Sequence, residues 1–150
     1  MRSSITLTAF AILFGILPSL CQTSRHTKPA EKPSETEHIQ GPNGMEGWTE
    51  DWSIPGSGYG DEKLPTTLVV ARHGHILRIE GNGFVWNWIF WADGRQVAYE
   101  SGPLHFGLSC ILYDLRRGRE IRSIDCYHDL PPNAPDWVLK LEASSRKQPH

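Results

Sequence analysis

The sequence has no excess of basic residues and no long uninterrupted apolar run, and each shortage excludes a class of protein. Its formal net charge is −2, so the basic surface that nucleic-acid partners require is missing. The apolar run Ile5–Leu20 is shorter than the roughly 20 residues that span a bilayer. We therefore expect no nucleic-acid partner, and no stable membrane span once the leader has been removed.

The motifs of several common enzyme classes are missing as well. The sequence contains no Gly-x-Ser-x-Gly nucleophile elbow, no phosphate loop and no dinucleotide fingerprint. Asp93 and Asp114 stand beside predicted turns or strand ends, where an aspartate typically bonds its own backbone. A pair of glycosidase carboxylates is therefore not indicated. We expect no cofactor, and the sequence favours a binding protein over an enzyme.

The first 21 residues have the anatomy of a secretory signal peptide. Arg2 supplies a positive start, Ile5–Leu20 is apolar, and small or polar residues follow. We expect cleavage after Cys21 and a secreted or periplasmic protein. The alternative is that Cys21 is kept and lipidated, although Leu20 stands where a bacterial lipoprotein normally has a small residue.

Only three cysteines occur, and removal of Cys21 would leave Cys110 and Cys126. An even number of cysteines in an oxidising compartment favours a disulfide. The two residues flank a predicted hairpin near Gly118. A three-residue turn would place both thiols on one face of the sheet, whereas a four-residue turn would place them on opposite faces. We predict the disulfide; the alternative is two buried free thiols.

Composition divides the rest of the chain into three parts. Residues 22–65 are rich in Pro, Gly, Lys and Glu, which predicts a disordered linker. Within it, Trp48 and Trp52 either dock on the domain or form an exposed recognition segment. Residues 66–143 hold the strand-like runs and are predicted to be the folded domain. Residues 144–150 are predicted to be a polar tail.

Alternating apolar residues and three residue-Gly turns predict an antiparallel meander. Phe84–Trp91 is apolar on both faces and is therefore predicted to be a central strand. The fold class is mainly all-β, with about six strands and a short C-terminal helix. The strand-like runs are 67–72, 75–80, 84–91, 96–100, 108–115 and 119–126.

The C-terminal helix is predicted to run from Ala134 to Ala143. Asn133 is a residue type that caps helices, and a proline follows in the first turn. Trp137, Leu139 and Leu141 are available for packing against the sheet.

The run Trp88–Tyr99, together with Tyr113–Glu120, resembles one blade of a WD-repeat-like, TolB-type β-propeller. In that family an aromatic strand enters Pro-Asp-Gly and the third strand ends in Asp-Leu; here Ala92 replaces the Pro. The resemblance covers residues 84–126 and implies a four-stranded sheet with a binding or scaffolding role. Because a ring needs about four to eight blades, either several chains assemble or other elements cover a single blade in a monomer.

Two groups of residues are candidate sites. His73 and His75 could chelate a metal, but Gly74 at the turn would splay their side chains, and the alternative is a polar hairpin tip; we predict no metal site. The loop 102–107 is unusually apolar, which favours a binding site with a tryptophan floor. The alternative is a loop folded over the sheet edge. The candidate binding residues are Trp86, Trp88, Leu104, His105 and Phe106.

These observations together predict an exported, non-catalytic binding or protein-interaction module. Its partner would be an envelope or extracellular protein. The alternative is a small secreted metal-dependent hydrolase that uses His73, His75 or His105.

Overall fold

The computed structural model describes residues 31–53, 62–103 and 107–146, which belong to one compact unit, Glu31–His150. Two antiparallel sheets pack face to face, and a helix covers the outer face of the second. The predicted signal peptide, residues 1–21, lies outside the described residues. Among those that are described, no helix has the length and apolarity needed to cross a membrane.

The first sheet contains five strands in the order β1-β3-β4-β5, with β2 also paired to β3. The predicted hairpin is confirmed: β4 and β5 pair in register from Thr67–Glu80 to Arg72–His75. The strands are β1 (Ser34–Glu35), β2 (Ile39–Gln40), β3 (Met45–Ser53), β4 (Lys63–Arg72) and β5 (His75–Glu80).

The predicted disordered linker, residues 22–65, is wrong where it covers β1, β2, β3 and the start of β4. Its glycine and carboxylate content obscured the strand, and both are accommodated by tertiary partners. The Glu50 side chain is only 4% exposed and pairs with Arg78 at 2.9 Å. Trp48 is 6% exposed and stacks on His38, with 4.1 Å between the ring centroids.

The second sheet has the predicted four strands in the order β6-β7-β8-β9. Each strand pairs with the next along the chain, which confirms the predicted meander. The strands are β6 (Phe84–Trp91), β7 (Gln96–Gly102), β8 (Ser109–Asp114) and β9 (Arg119–Asp125).

The prediction that β6 is central is wrong, because β6 lies at the edge of its sheet. It is apolar on both faces because the first sheet covers one face and the helix covers the other. A register shift between Val85 and Asn87 also changes the predicted faces. Val85 therefore joins Trp88 in the core between the sheets, while Trp86 is 39% exposed.

The core between the two sheets is built from alternating inward residues of both. Leu68, Val70 and Ile79 of the first sheet meet Val97 and Tyr99 of the second. The strand β3 approaches closely because it carries Gly47 there: a Cβ on Gly47 would lie 2.5 Å from Cη2 of Trp88. A larger residue would hold the two layers apart.

Helix α1 (Asp136–Ser145) begins two residues later than predicted and takes in the first residues of the predicted tail. Pro135, not Asn133, occupies the N-cap position, and no side chain caps the helix there. Val138 is buried in place of the predicted Leu139, which is 48% exposed. The shift follows from the helix facing the sheet with Trp137, Val138 and Leu141, which lie on one side at this spacing.

Buried Asn87 ties β6 to the C-terminal end of α1. Its Nδ2 atom donates to the carbonyl oxygen of Leu141 at 2.8 Å and to Oγ of Ser145 at 2.7 Å. The Ser144 hydroxyl of the helix also donates to the Leu141 carbonyl, at 2.6 Å. These contacts fix the end of the helix against β6.

Cys110 and Cys126 are bonded as a disulfide, with their Cα atoms 5.7 Å apart. The hairpin loop has four residues, since Asp114 pairs with Arg119, and four residues were expected to place the thiols on opposite faces. A bulge between Leu112 and Tyr113 shifts the register by one residue and returns both cysteines to one face.

Candidate functional site

Three tight turns meet at one end of the two-sheet stack. They are the β4–β5 turn at His73–Gly74, the β6–β7 turn at Ala92–Arg95 and the β8–β9 turn at 115–118. The last two are joined by a hydrogen bond from the Leu115 amide to the Arg95 carbonyl, at 3.1 Å. The groove between these turns has a volume of about 550 Å³, and we call it the turn groove.

Backbone conformation fixes the shape of these turns. His73 and Gly74 both have positive φ, 48° and 81°, as a two-residue hairpin turn requires. Asp93 and Gly94 also have positive φ, 56° and 77°. Across the sheets, the Asn43 side chain donates from Nδ2 to the Asp93 carbonyl at 3.1 Å. This contact ties the β6–β7 turn to the first sheet.

The floor of the turn groove is apolar and belongs to the core between the sheets. Its side chains are Met45, Val70, Leu77 and Leu115. Ile76 lies beside this floor and is 54% exposed. The groove is therefore the open end of the hydrophobic core.

The rim of the turn groove is cationic. Arg72, Arg95 and Arg116 all line it, together with His73 and His75. Among the described residues, no carboxylate forms an ion pair with any of the three arginines. The nearby carboxylate of Asp114 is already engaged, since its Oδ1 accepts the amides of Arg116 and Arg117 at 2.9 and 2.8 Å.

The two histidines considered as a possible metal pair, His73 and His75, lie on this rim, and both side chains are exposed. No group of three or more His, Cys, Asp or Glu side chains in the described ranges could hold a metal ion. The pair therefore has no third ligand among these residues. Its position instead places two imidazole rings beside the three arginines.

The predicted binding residues Trp86 and Trp88 lie elsewhere. They line a smaller cleft of about 240 Å³ near Thr36 and Pro65. Trp86 donates from Nε1 to the Gly102 carbonyl at 3.0 Å, whereas Trp88 packs against the core. The structure therefore does not bring the two tryptophans to the turn groove, which lies at the other end of β6.

The other three candidates, Leu104, His105 and Phe106, lie outside the described residues. The flanks of their loop are described, and Gly102 and Gly107 lie in contact: a Cβ on Gly102 would collide with the Gly107 carbonyl. The backbone therefore closes tightly at the base of this loop.

A second polar site lies between β7 and α1, beside the disulfide. Burial raises the pKa of Glu100 above its usual value of 4.5, and hydrogen bonds from Ser145 and Asn87 offset this only in part. The Ser145 hydroxyl donates to both Glu100 carboxylate oxygens at 3.3 Å. These contacts join strand and helix, so we assign Glu100 a structural role.

Sequence reasoning missed Arg72, Arg95 and Arg116, although two of them carry a detectable signal. In β4 the inward positions Leu68 and Val70 are followed two residues later by Arg72. In β7 the inward positions Val97 and Tyr99 are preceded, two residues before Val97, by Arg95. Alternate residues of a strand lie on one face. An arginine that continues the series of core-facing residues at the end of a strand therefore indicates the rim of an opening in that core.

Comparison with known proteins assigns no family to this arrangement. No protein-family model, curated protein or solved structure matches the chain.

Proposed function

We propose that this chain is an exported, non-catalytic binding module that takes its ligand in the turn groove. One observation carries the proposal: the groove combines an apolar floor with three arginines that have no carboxylate partner among the described residues. Small-molecule sites are typically concave, mostly apolar and furnished with a few polar groups. The turn groove has this composition.

Two further observations support the proposal. The disulfide between Cys110 and Cys126 is typical of proteins in an oxidising compartment, as the predicted leader also indicates. The resemblance of residues 84–126 to a propeller blade favours a binding role over catalysis.

The experiment is a ligand-observed NMR screen of the exported protein against a chemically mixed set of soluble compounds. Ile76→Trp fills the side of the groove with a larger side chain. Ile121→Trp is the matched control, because Ile121 is 46% exposed and does not line the groove. We expect the compounds that bind to be lost in Ile76→Trp and kept in Ile121→Trp. Binding that is equally strong in both variants would place the site elsewhere.

A further inference from the structure

We infer that the ligand of the turn groove is a small anionic amphiphile, with its apolar body on the groove floor and a carboxylate or phosphate head at the arginines. The inference rests on the proposed function and names the chemical class of its ligand. It depends on the charge of the rim, the apolarity of the floor and the size of the groove.

The rim carries three arginines that form no ion pair with a carboxylate of the described residues. Arg72, Arg95 and Arg116 line one groove, and like charges that converge raise the local positive potential. A guanidinium group binds a carboxylate or a phosphate through two parallel hydrogen bonds. An anion placed between these groups would offset their mutual repulsion, which a neutral or cationic ligand would not do.

The floor argues for an apolar body attached to that anion. Val70, Leu77 and Leu115 line the groove, and Ile76 is 54% exposed beside them. Burying such apolar surface is favourable by about 25 cal/mol per Å². A bare inorganic anion would leave this surface in contact with water.

The size of the groove limits the ligand to a small molecule. Its volume of about 550 Å³ falls within the roughly 300 to 1,000 Å³ typical of small-molecule sites. A single short alkyl chain with one charged head suits this volume and this distribution of charge.

Isothermal titration calorimetry with three probes of equal chain length tests the inference. Decanoate, 1-decanol and decylamine each contain ten carbons in one linear chain and differ in the charge of the head. We expect decanoate to bind with one-to-one stoichiometry, at least tenfold more tightly than decanol and decylamine. Acetate and inorganic phosphate, which lack the body, are expected to bind at least tenfold more weakly than decanoate. Equal affinity for decanol and decanoate would overturn the assignment of an anionic ligand.

Paired arginine variants show where the charge acts. Arg72→Gln with Arg116→Gln removes two rim charges, and Arg95 is spared because its Nε donates to the Ala92 carbonyl within the turn. Arg119→Gln with Arg122→Gln is the control, since both residues are exposed on β9 and the net charge changes equally. Decanoate affinity should fall at least tenfold in the first pair and remain within twofold in the second. Equal losses in both pairs would overturn the inference.

Vesicles separate a free ligand from a membrane surface. If the wild-type protein sediments with phosphatidylglycerol vesicles and does not bind decanoate, the rim recognises a lipid surface and the inference is wrong. If decanol binds as well as decanoate and Ile76→Trp blocks both, the proposed groove is retained and only the anionic class fails. If Ile76→Trp blocks neither, the proposed function itself fails.

Discussion

At the scale of single residues, Gly47 sets the distance between the two sheets. We expect Gly47→Ala to destabilise the protein by about 1–3 kcal/mol, the usual cost of overpacking a core. The reason is that its Cβ would lie 2.5 Å from Trp88 and 3.2 Å from Phe90. The measurement is the free energy of unfolding in urea.

The cause of that loss can be isolated with a second substitution. Trp88→Leu removes the ring atoms that the new methyl group would meet. In this background Gly47→Ala should cost less than in the wild-type protein, because neighbouring substitutions are not additive. An equal cost in both backgrounds would show that the glycine matters for its backbone instead.

Glu100 makes stability depend on pH. Its pKa is raised in the folded protein, chiefly by burial, so the folded state binds more protons than the unfolded state above pH 4.5. The stabilisation is complete below that pH and is lost as the pH rises through the folded-state pKa. Relative to Glu100→Gln, the wild-type protein should therefore lose stability as the pH rises above 4.5.

Urea denaturation of both proteins at several pH values checks this prediction. Glu37→Gln is the control for loss of an exposed carboxylate, since Glu37 is exposed. Parallel stability curves for the wild-type protein and Glu100→Gln would contradict the prediction.

At the scale of elements, the disulfide closes the β8–β9 hairpin across a sequence separation of 16 residues. A bridge around a loop of this length stabilises by about 3 kcal/mol, mainly through the unfolded chain. We expect a reductant to lower the free energy of unfolding by about that amount. The double variant Cys110→Ala, Cys126→Ala should show no response to the reductant. If the wild-type protein shows none either, the bridge contributes nothing to stability.

Some of the strands could be predicted from sequence patterns and others could not. The hairpins of β4–β5, β6–β7 and β8–β9 were predictable because apolar alternation and glycine turns are local signals. The strand β3 was not predictable in this way, because Gly47 and Glu50 contradict strand propensity and are satisfied by residues distant in sequence. Likewise, the bulge in the β8–β9 pair decides the cysteine geometry and has no clear local signature.

At the scale of the whole molecule, the same chain covers both faces of β6, β7 and β8, whereas β9 is largely exposed. The first sheet covers one face and α1 the other. Propeller blades and other repeats need neighbouring repeats for that cover, so we expect a monomer. Native mass spectrometry of the protein expressed from its full sequence should give one chain that begins at Gln22, two hydrogens lighter than the dithiol. A ring-sized oligomer would contradict this expectation, and an added lipid mass on Cys21 would contradict the predicted cleavage.

In the candidate site, too, some residue positions could be predicted from local sequence patterns and others depend on contacts between residues distant in sequence. Arg95 and Arg116 lie in turns at the same end of a meander, and topology alone could have placed them together. Arg72 joins them only because the first sheet packs with its β4–β5 turn at that end. The orientation of one sheet on another depends on the aromatic side chains between them, and no local pattern encodes it.

The order of strand pairing has a kinetic consequence. The strands β3, β4 and β5, and then β6 to β9, each pair with the next strand in the chain. Closing the short loops of neighbouring hairpins costs little entropy, whereas contacts between residues distant in sequence, such as those between the two sheets, form slowly. We therefore expect the strands of each sheet to pair with one another before the two sheets dock. We expect the slow step to be the docking of the two sheets, in which Trp88 and Phe90 pack against Gly47 to complete the core between them.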